Sequence, residues 1–317
     1  MTGAPIATAP DARDPIHDHN RGLGRGLVHV TGPDAVALLD NVITNDMGRL
    51  RGEPPGTTNA VHAGAAIHAG LLTPQGKILF AFFVVPVEEG FLLDLPSGDV
   101  SAFMKRLTLY RLRAKVDISD VSDRWSVSLT SDASQATGIT VSDPRHASLP
   151  HRNYRAEPRA PDADAFSEAA YCDARIAATV AEIGADYESA TTFPHEANWD
   201  RDGSVDFKKG CFIGQEVVSR AQHKAVARKR FVTVRSDGAL ETRADVKAGA
   251  ATIGQIGSVA SDGREALALI RLDRAVVALA ADTPVTTGTA TLTIRQAELD
   301  DYRAKSQLNE AKRIEGS

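Results

Sequence analysis

The stretch from Lys208 to Glu216, KKGCFIGQE, surrounds one of only two cysteines in the chain with an unusual set of neighbours. Two lysines precede Cys211, Gly210 and Gly214 bracket it, and an amide and a carboxylate follow. Nearby positive charge favours the thiolate, and glycines leave room beside the sulfur. The stretch therefore predicts a solvent-reachable, reactive thiol at Cys211 with Lys209 as the activating charge. A buried cysteine in a tight turn is the alternative.

The residues after the cysteine predict a helix that begins near Gly214 and continues through GQEVVSR. On such a helix Glu216 and Arg220 stand four residues apart on one face and can form an ion pair. Two interpretations stay open for this pair. It is either an ordinary surface ion pair or a clamp that fixes the loop carrying Gln215 against a ligand cavity.

Composition describes a soluble globular protein of 317 residues, with 43% hydrophobic and 24% charged residues, long enough for two or three compact units. The formal net charge of −5 gives no overall attraction to nucleic acid or to an anionic membrane. Aromatic residues make up 5%, with no stacking platform for bases, and no run of about 18 apolar residues occurs. Neither nucleic acid nor a membrane is expected as a partner.

The cysteines and histidines limit the metal chemistry and the compartment. An iron–sulfur cluster normally needs about four thiolates, so two cysteines cannot hold one alone. The nine histidines are scattered, and no metal site is expected. Two cysteines give no disulfide framework, which favours a reducing compartment. The first twenty residues lack a basic segment followed by an apolar one, so no secretory signal is expected. These observations predict a cytoplasmic location.

Periodicity along the chain predicts an α+β body followed by a β-rich end. Residues 65–96 alternate as three strands joined by Thr-Pro-Gln-Gly and Glu-Glu-Gly turns, with one helix before them and another after. After Arg230 short strands separated by Gly and Asp turns cover about 70 residues, the size of a small closed barrel. The predicted units are a disordered tail at 1–20, an α+β region at 21–230 in two subdomains with a connection near 152–165, a barrel at 231–300 and a charged tail at 301–317.

The signature stretch resembles that of the YgfZ-type folate-binding proteins, relatives of the glycine-cleavage T-protein, an aminomethyltransferase. Other segments resemble the same family in the same order, so the likeness covers roughly residues 22–295. Ala225 stands where a glycine is common in the family. The positions that match the signature are Lys209, Gly210, Cys211, Phe212, Gly214, Gln215, Glu216 and Arg220.

The resemblance implies a GcvT-like ring, in which two α+β subdomains surround a central cavity and a C-terminal β-barrel follows. It implies tetrahydrofolate as cofactor, and iron–sulfur enzymes or their assembly factors as partners, including radical enzymes that modify tRNA. Glu196 is the candidate for the pterin N–H donors, since a carboxylate matches two adjacent donors. Lys105, Arg106 or Arg111 is the candidate for the glutamate tail, unless these cations form a solvated helix face. The basic stretch HKAVARKR, residues 223–230, could add to a positive rim.

Two functions remain open, and whether the chain is an enzyme at all is part of the question. One is a tetrahydrofolate-binding accessory protein in assembly or repair of iron–sulfur enzymes, with Cys211 as its reactive group. The other is a folate-dependent aminomethyl or one-carbon transferase. T-proteins place an aspartate just after the glycine turn of the hairpin, whereas here Gly76 is followed by Lys77 and apolar residues. The missing base disfavours the transferase.

Overall fold

The computed structural model describes residues 23–50, 61–62, 66–156, 166–224 and 227–315. Over this range the chain forms fifteen strands in three sheets, together with six α-helices. The predicted tail at 1–20, most of the predicted connection near 152–165, and Ala225 lie outside these residues.

The first sheet is antiparallel and contains the three strands predicted over residues 65–96. Alternate residues of its longest strand point to opposite faces, as a pleated strand requires. Phe80, Phe82 and Val84 pack with two helices on one face, and Phe83 and Val85 pack with the second sheet on the other. The strand order is β3 (Ile67–Leu72), β4 (Ile78–Val87), β5 (Gly90–Pro96), β1 (Arg25–Thr31) and β6 (Asp117–Asp120), and the helices are α1 (Ala35–Val42) and α2 (Val100–Arg111).

The second sheet corrects the start of the predicted connection near 152–165. Residues His151–Arg155 form a strand that pairs antiparallel with Ser126–Thr130. Arg152 and Tyr154 are fully buried, so the segment behaves as a core strand although it reads as charged. The apolar alternation is hidden because a buried arginine with carboxylate partners takes a core position. The order is β2 (Val61–His62), β8 (Ile139–Val141), β9 (His151–Arg155) and β7 (Ser126–Thr130).

The third sheet is a closed barrel of six strands, in the order β10-β13-β12-β11-β14-β15. The barrel is followed by a helix that includes most of the charged segment at 301–317, which the sequence predicts as a frayed helix or tail, and Leu299 and Tyr302 pack it onto the barrel core. The helix that precedes the signature loop ends at Ala178, with Thr179 in the left-handed region at φ +58°. These elements are α3 (Glu168–Ala178), α4 (Gln215–Lys224), β10 (Lys229–Ser236), β11 (Asp245–Ala248), β12 (Ala251–Val259), β13 (Glu265–Arg271), α5 (Leu272–Ala280), β14 (Val285–Thr287), β15 (Ala290–Ile294) and α6 (Gln296–Glu315).

Buried charges join the three units. Asp94 on β5 accepts hydrogen bonds from Arg25 Nε at 2.6 Å and from Arg152 NH1 at 3.0 Å, which connects the first two sheets. Arg175 on α3 pairs with Asp186 at 2.8 Å and donates to Ser258 Oγ on the barrel at 3.2 Å. Arg145 completes the set, with Asp143 at 2.7 Å and Glu182 at 2.9 Å. Four guanidinium groups thus face four carboxylates.

The carboxylates of this junction differ in the direction in which their pKa values shift. Burial alone would raise the pKa values of Asp143 and Glu182, but neighbouring arginines outweigh burial and hold both below their usual range. Asp202 lies at the same junction, but within the described residues no arginine forms an ion pair with it. Its side chain accepts a hydrogen bond from Ser204 N. Burial therefore raises the pKa of Asp202 to about 7.

Replacing Asp202 by Asn is expected to stabilise the protein at pH 8 more than at pH 5. Between about pH 4 and pH 7 the unfolded chain releases the Asp202 proton while the folded chain keeps it, so this group costs stability as the pH rises through that window. Asn keeps an acceptor for Ser204 N and does not ionise. We expect a relative gain of about 1–2 kcal/mol, below the full linkage value because the carboxyl group is only partly buried.

Urea unfolding of the wild type and the Asp202→Asn variant at the two pH values measures this difference. The exposed Asp123 serves as the matched control, because Asp123→Asn should change stability equally at both pH values. The assignment of a raised pKa to Asp202 is wrong if the free energy difference between the Asp202 variant and the wild type is the same at pH 5 and pH 8.

Candidate functional site

The cysteine loop is positioned by a contact between two backbones. Gly214 has φ +79°, and a Cβ atom on it would meet the carbonyl oxygen of Thr73 at 2.7 Å. Gly76, in the β3–β4 turn, has φ +80°, and a Cβ atom there would meet Val217 at 3.0 Å. Both positions therefore require glycine for conformation and for space. The loop and the hairpin turn touch without a side chain between them.

Lys209 anchors the other side of the loop. Its Nζ donates hydrogen bonds to the carbonyl oxygens of Asp40 at 2.5 Å, Asn45 at 2.9 Å and Ile43 at 3.0 Å, around the C-terminus of α1. Its side chain is only 1% exposed, and the Asp40 carboxylate lies at 3.4 Å. A cation at a helix C-terminus is favourable because the last carbonyls lack partners within the helix. Burial lowers the pKa of Lys209, and Asp40 partly opposes that change.

These contacts correct the predicted role of Lys209. The ammonium group donates all three of its N–H groups to carbonyl oxygens at the end of α1. The expectation that its charge faces the thiol therefore does not match the geometry. Lys209 fixes the loop against the first sheet and its helices. Lys208 is exposed and is the neighbouring cation that solvent reaches.

Cys211 is exposed, and the next residue is buried. Phe212 packs in a core cluster with Trp199 and Phe231, while the Lys209 ammonium lies 5.6 Å from the Phe212 ring centroid. The thiol is thus presented at the surface between two anchored neighbours, which meets the accessibility part of the prediction. Its reactivity stays a prediction. Gly210 has open space around it, and the structure gives no steric reason for glycine there.

Helix α4 begins at Gln215, where the sequence predicts it, and the Glu216–Arg220 pair forms at 2.7 Å. The two side chains are 85% and 63% exposed, so the pair lies in solvent and contributes under about 1 kcal/mol. The interpretation of a surface ion pair is therefore the one that the structure supports. The alternative, a clamp that fixes the loop against a cavity, is not supported.

Glu196 lines a cavity of about 450 Å³ between α4 and the start of the barrel. Phe193, Val217 and Val218 give this cavity an apolar wall, and Arg228 and Lys229 give it a positive rim. Glu196 accepts a hydrogen bond from Phe193 N at 2.9 Å through Oε2. The rim cations belong to the basic stretch noted in the sequence.

Two further lining residues, His195 and Arg271, are not found by sequence reasoning. Burial is the main cause that lowers the pKa of His195, and its Nε2 lies 3.0 Å from Gln222 Oε1. Arg271 comes from β13, on the barrel, and pairs with Asp273. Arg271 carries no local pattern, because the barrel strand meets α4 only in the folded chain, and His195 stands beside Glu196 without a second histidine at metal-ligand spacing.

The other predicted folate contacts lie elsewhere. Lys105 and Arg106 are exposed on α2, and Arg111 donates a hydrogen bond to Val116 O at 3.2 Å. Helix α2 packs on one face of the first sheet, whereas Trp199 and the segment that carries Glu196 pack on the other face. The structure does not bring these cations to Glu196. The prediction that the cations and Glu196 contact one ligand therefore does not match the structure.

The described residues contain neither a cluster of metal ligands nor a membrane-spanning helix. In that part of the chain, no group of three or more His, Cys, Asp or Glu side chains is arranged to hold a metal ion. No helix within the described ranges is long and apolar enough to cross a membrane.

Comparison with known proteins gives the fold and the relatives. The chain matches the solved structure of glycine cleavage system aminomethyltransferase T from Bartonella henselae with a TM-score of 0.62, at 16% identity, over 88% of this chain and 87% of that one. Residues 228–299 match the family described as CAF17, C-terminal beta-barrel domain. The chain therefore has a GcvT-like, aminomethyltransferase-like fold that ends in a CAF17-type barrel.

The curated relatives are iron–sulfur cluster assembly factors named IBA57. The chain is 32% identical to the Chaetomium globosum homolog over 66% of this chain and 54% of that protein, so it spans about half the length of this relative. The human protein is 31% identical over 67% of this chain and 64% of its own length, and the mouse protein 29% identical over 78% and 76%. The homologues of this chain are thus assembly factors of the IBA57 type, to which the YgfZ type is related.

The same relatives overturn the predicted cytoplasmic location. Each of these three is named as a mitochondrial protein. The prediction was wrong because its main argument, two cysteines without a disulfide framework, identifies only a reducing environment and does not distinguish one reducing compartment from another.

Replacing Lys209 by Met is expected to destabilise the protein by about 2–4 kcal/mol, because three carbonyl oxygens at the end of α1 lose a buried charged donor. The exposed Lys208 is the matched control, and Lys208→Met should leave stability nearly unchanged. Urea unfolding measures both, and iodoacetamide alkylation of Cys211 in the folded variants measures thiol reactivity. A Lys209→Met variant of normal stability but slow alkylation would restore the activating role.

Proposed function

We propose that this chain is an accessory protein in the assembly or repair of iron–sulfur cluster enzymes and that Cys211 is its working group. The observation that carries the proposal is the exposed thiol on a loop whose neighbours are fixed by Lys209, Phe212 and Gly214. The names of the IBA57 relatives support the process. The partners in this proposal are iron–sulfur enzymes or their assembly factors, including radical enzymes that modify tRNA.

The chemistry available to this site is that of one presented thiol. In its thiolate form Cys211 can attack an electrophile, or it can take the sulfane sulfur of a partner's persulfide while the partner's thiolate leaves, and its exposure lets a partner reach it. The other cysteine differs: Cys172 is half-buried, and burial raises its pKa. Since a cluster normally needs about four thiolates, this proposal places the cluster as cargo in the client protein.

The cavity beside α4 supports tetrahydrofolate or a derivative as the ligand in this proposal. Its volume of about 450 Å³ lies in the range of small-molecule pockets, and its apolar wall suits a flat heterocycle. Glu196 can accept from the two adjacent N–H donors of a pterin edge. Arg228 and Lys229 can pair with the carboxylates of a glutamate tail, which replaces the role first given to the α2 cations.

Folate-dependent aminomethyl transfer is the second candidate, because the fold resembles that of an aminomethyltransferase. The hairpin turn argues against it. Lys77 follows Gly76 there, and its ammonium group lies 5.7 Å from the Phe193 ring centroid beside the cavity. A lysine at this position offers no carboxylate base to the ligand. The accessory role is therefore favoured.

Cys211→Ala is expected to abolish the ability of the chain to restore iron–sulfur enzyme activity in a deletion strain, with folding unchanged because the side chain is exposed. Cys172→Ala is the matched control and should retain the activity. The readouts are the activities of several iron–sulfur enzymes and thermal unfolding of each variant. Full rescue by Cys211→Ala would show that only the loop geometry matters. Formaldehyde release from an aminomethylated carrier protein would favour the transferase.

Tetrahydrofolate is expected to bind the isolated chain with saturable heat in calorimetry, and Glu196→Gln should weaken binding about tenfold by removing a charged acceptor. Glu188→Gln, at an exposed ion pair with Arg243, is the matched control and should bind normally. The double variant Lys105→Met/Arg106→Met should also bind normally. Absence of saturable heat at millimolar ligand, or equal weakening by the control, would refute folate in this cavity.

A further inference from the structure

Helix α2 ends in a surface that combines exposed leucines with unpaired cations. Leu109 is 67% exposed and Leu112 is 87% exposed, among the most exposed large apolar side chains of the described residues. Lys105 stands four residues before Leu109, and Arg106 three residues before it, so these side chains are neighbours on the helix. Arg113 follows Leu112 directly and is exposed.

The charge of this segment is concentrated. Residues 100–116 contain five cations and no Asp or Glu, in a chain whose formal net charge is −5. Within the described residues, none of these five cations forms an ion pair with a carboxylate. Arg111 alone uses its guanidinium group internally, on the carbonyl of Val116. The surface therefore presents positive charge that no carboxylate of the described residues neutralises.

Leu112 adds a conformational argument. It follows the last residue of α2 and has φ +47° and ψ −109°, a region that favours glycine and is strained for leucine. The turn is held by hydrogen bonds from Ala114 N to Arg111 O at 2.8 Å and from Val116 N to Ala114 O at 3.0 Å. The side chain gains no compensating burial, since it points into solvent. Both the strain and the exposed apolar area remain uncompensated within the described chain.

We propose that the end of α2, formed by Lys105, Arg106, Leu109, Leu112 and Arg113, is a docking surface for an acidic amphipathic helix of a partner protein. The leucines meet the apolar stripe of that helix, and the flanking cations meet carboxylates on either side of the stripe. A protein partner fits better than nucleic acid, because no exposed aromatic side chain lies among these residues for base stacking. This surface lies apart from the thiol and the cavity, and the inference holds whichever activity they support.

The test uses the full chain and a labelled synthetic helical peptide of about 20 residues, with leucines three and four residues apart and glutamates on both flanks. Fluorescence anisotropy should show saturable binding that weakens as salt rises, since exposed charges are screened. Lys105→Glu/Arg106→Glu and Leu112→Gly should each weaken binding about tenfold. Leu112→Gly should not lower the melting temperature, because glycine relieves the strained turn.

Matched controls are Val277→Ala, which trims an exposed valine on α5, and Lys247→Glu, which reverses an exposed charge on the barrel. Both should bind the peptide normally. Equal weakening by the controls, or no saturable binding by the wild type, overturns the proposal. So does stronger binding to phosphatidylcholine vesicles containing about 30% phosphatidylserine, or to single-stranded DNA of about 20 nucleotides. A dimer of the wild type that Leu112→Gly dissociates would assign the surface to a second copy and overturn the acidic partner.

Discussion

The architecture depends on the compensation of buried charge where the three units meet. Asp94 belongs to the first sheet, Arg152 to the second and Arg175 to α3, which reaches the barrel at Ser258. Taken out of water singly, each of these charges would be costly, but the four guanidinium groups and four carboxylates of the junction sum to zero charge. Such a set is complete only when all units are in place. The junction therefore favours one relative arrangement of the sheets and the barrel over looser packings of the same apolar surfaces.

The same dependence explains which parts of the fold the sequence could predict. The three hairpin strands, the start of α4 and the barrel follow local rules, because turns, glycines and alternation lie within a few residues of each other. Strand β9 was hidden because the partners that permit a buried Arg152 come from elsewhere in the chain. The periodic pattern used to predict strands is a pattern of hydrophobic residues. It therefore misses a core position that is occupied by a charged side chain paired with buried carboxylates.

The candidate site divides in the same way. The glycines of the signature and the helix after it could be read locally. The role of Lys209 could not, because the carbonyl groups that it binds lie more than 160 residues earlier. Likewise the cations of α2 resemble ligand contacts in the sequence. In the folded chain the first sheet lies between these cations and Glu196, so they cannot contact one ligand. Within the signature, Lys209, Phe212 and Gly214 have structural contacts, whereas Cys211 faces solvent. Between Lys209 and Gly214, Cys211 carries the side chain that folding leaves exposed, and farther along the signature Glu216 and Arg220 are exposed as an ion pair.

The backbone contact between Gly76 and Gly214 has a consequence for variation among related chains. Because the turn and the loop touch through backbone atoms, the position of the loop that carries the sulfur depends on the shape of the β3–β4 turn as well as on the contacts of Lys209 and Phe212. An inserted or deleted turn residue would therefore disturb the loop, although the two segments lie far apart in the sequence. The conformation of the hairpin turn and the position of the thiol are thus coupled, so two segments distant in sequence share one steric constraint.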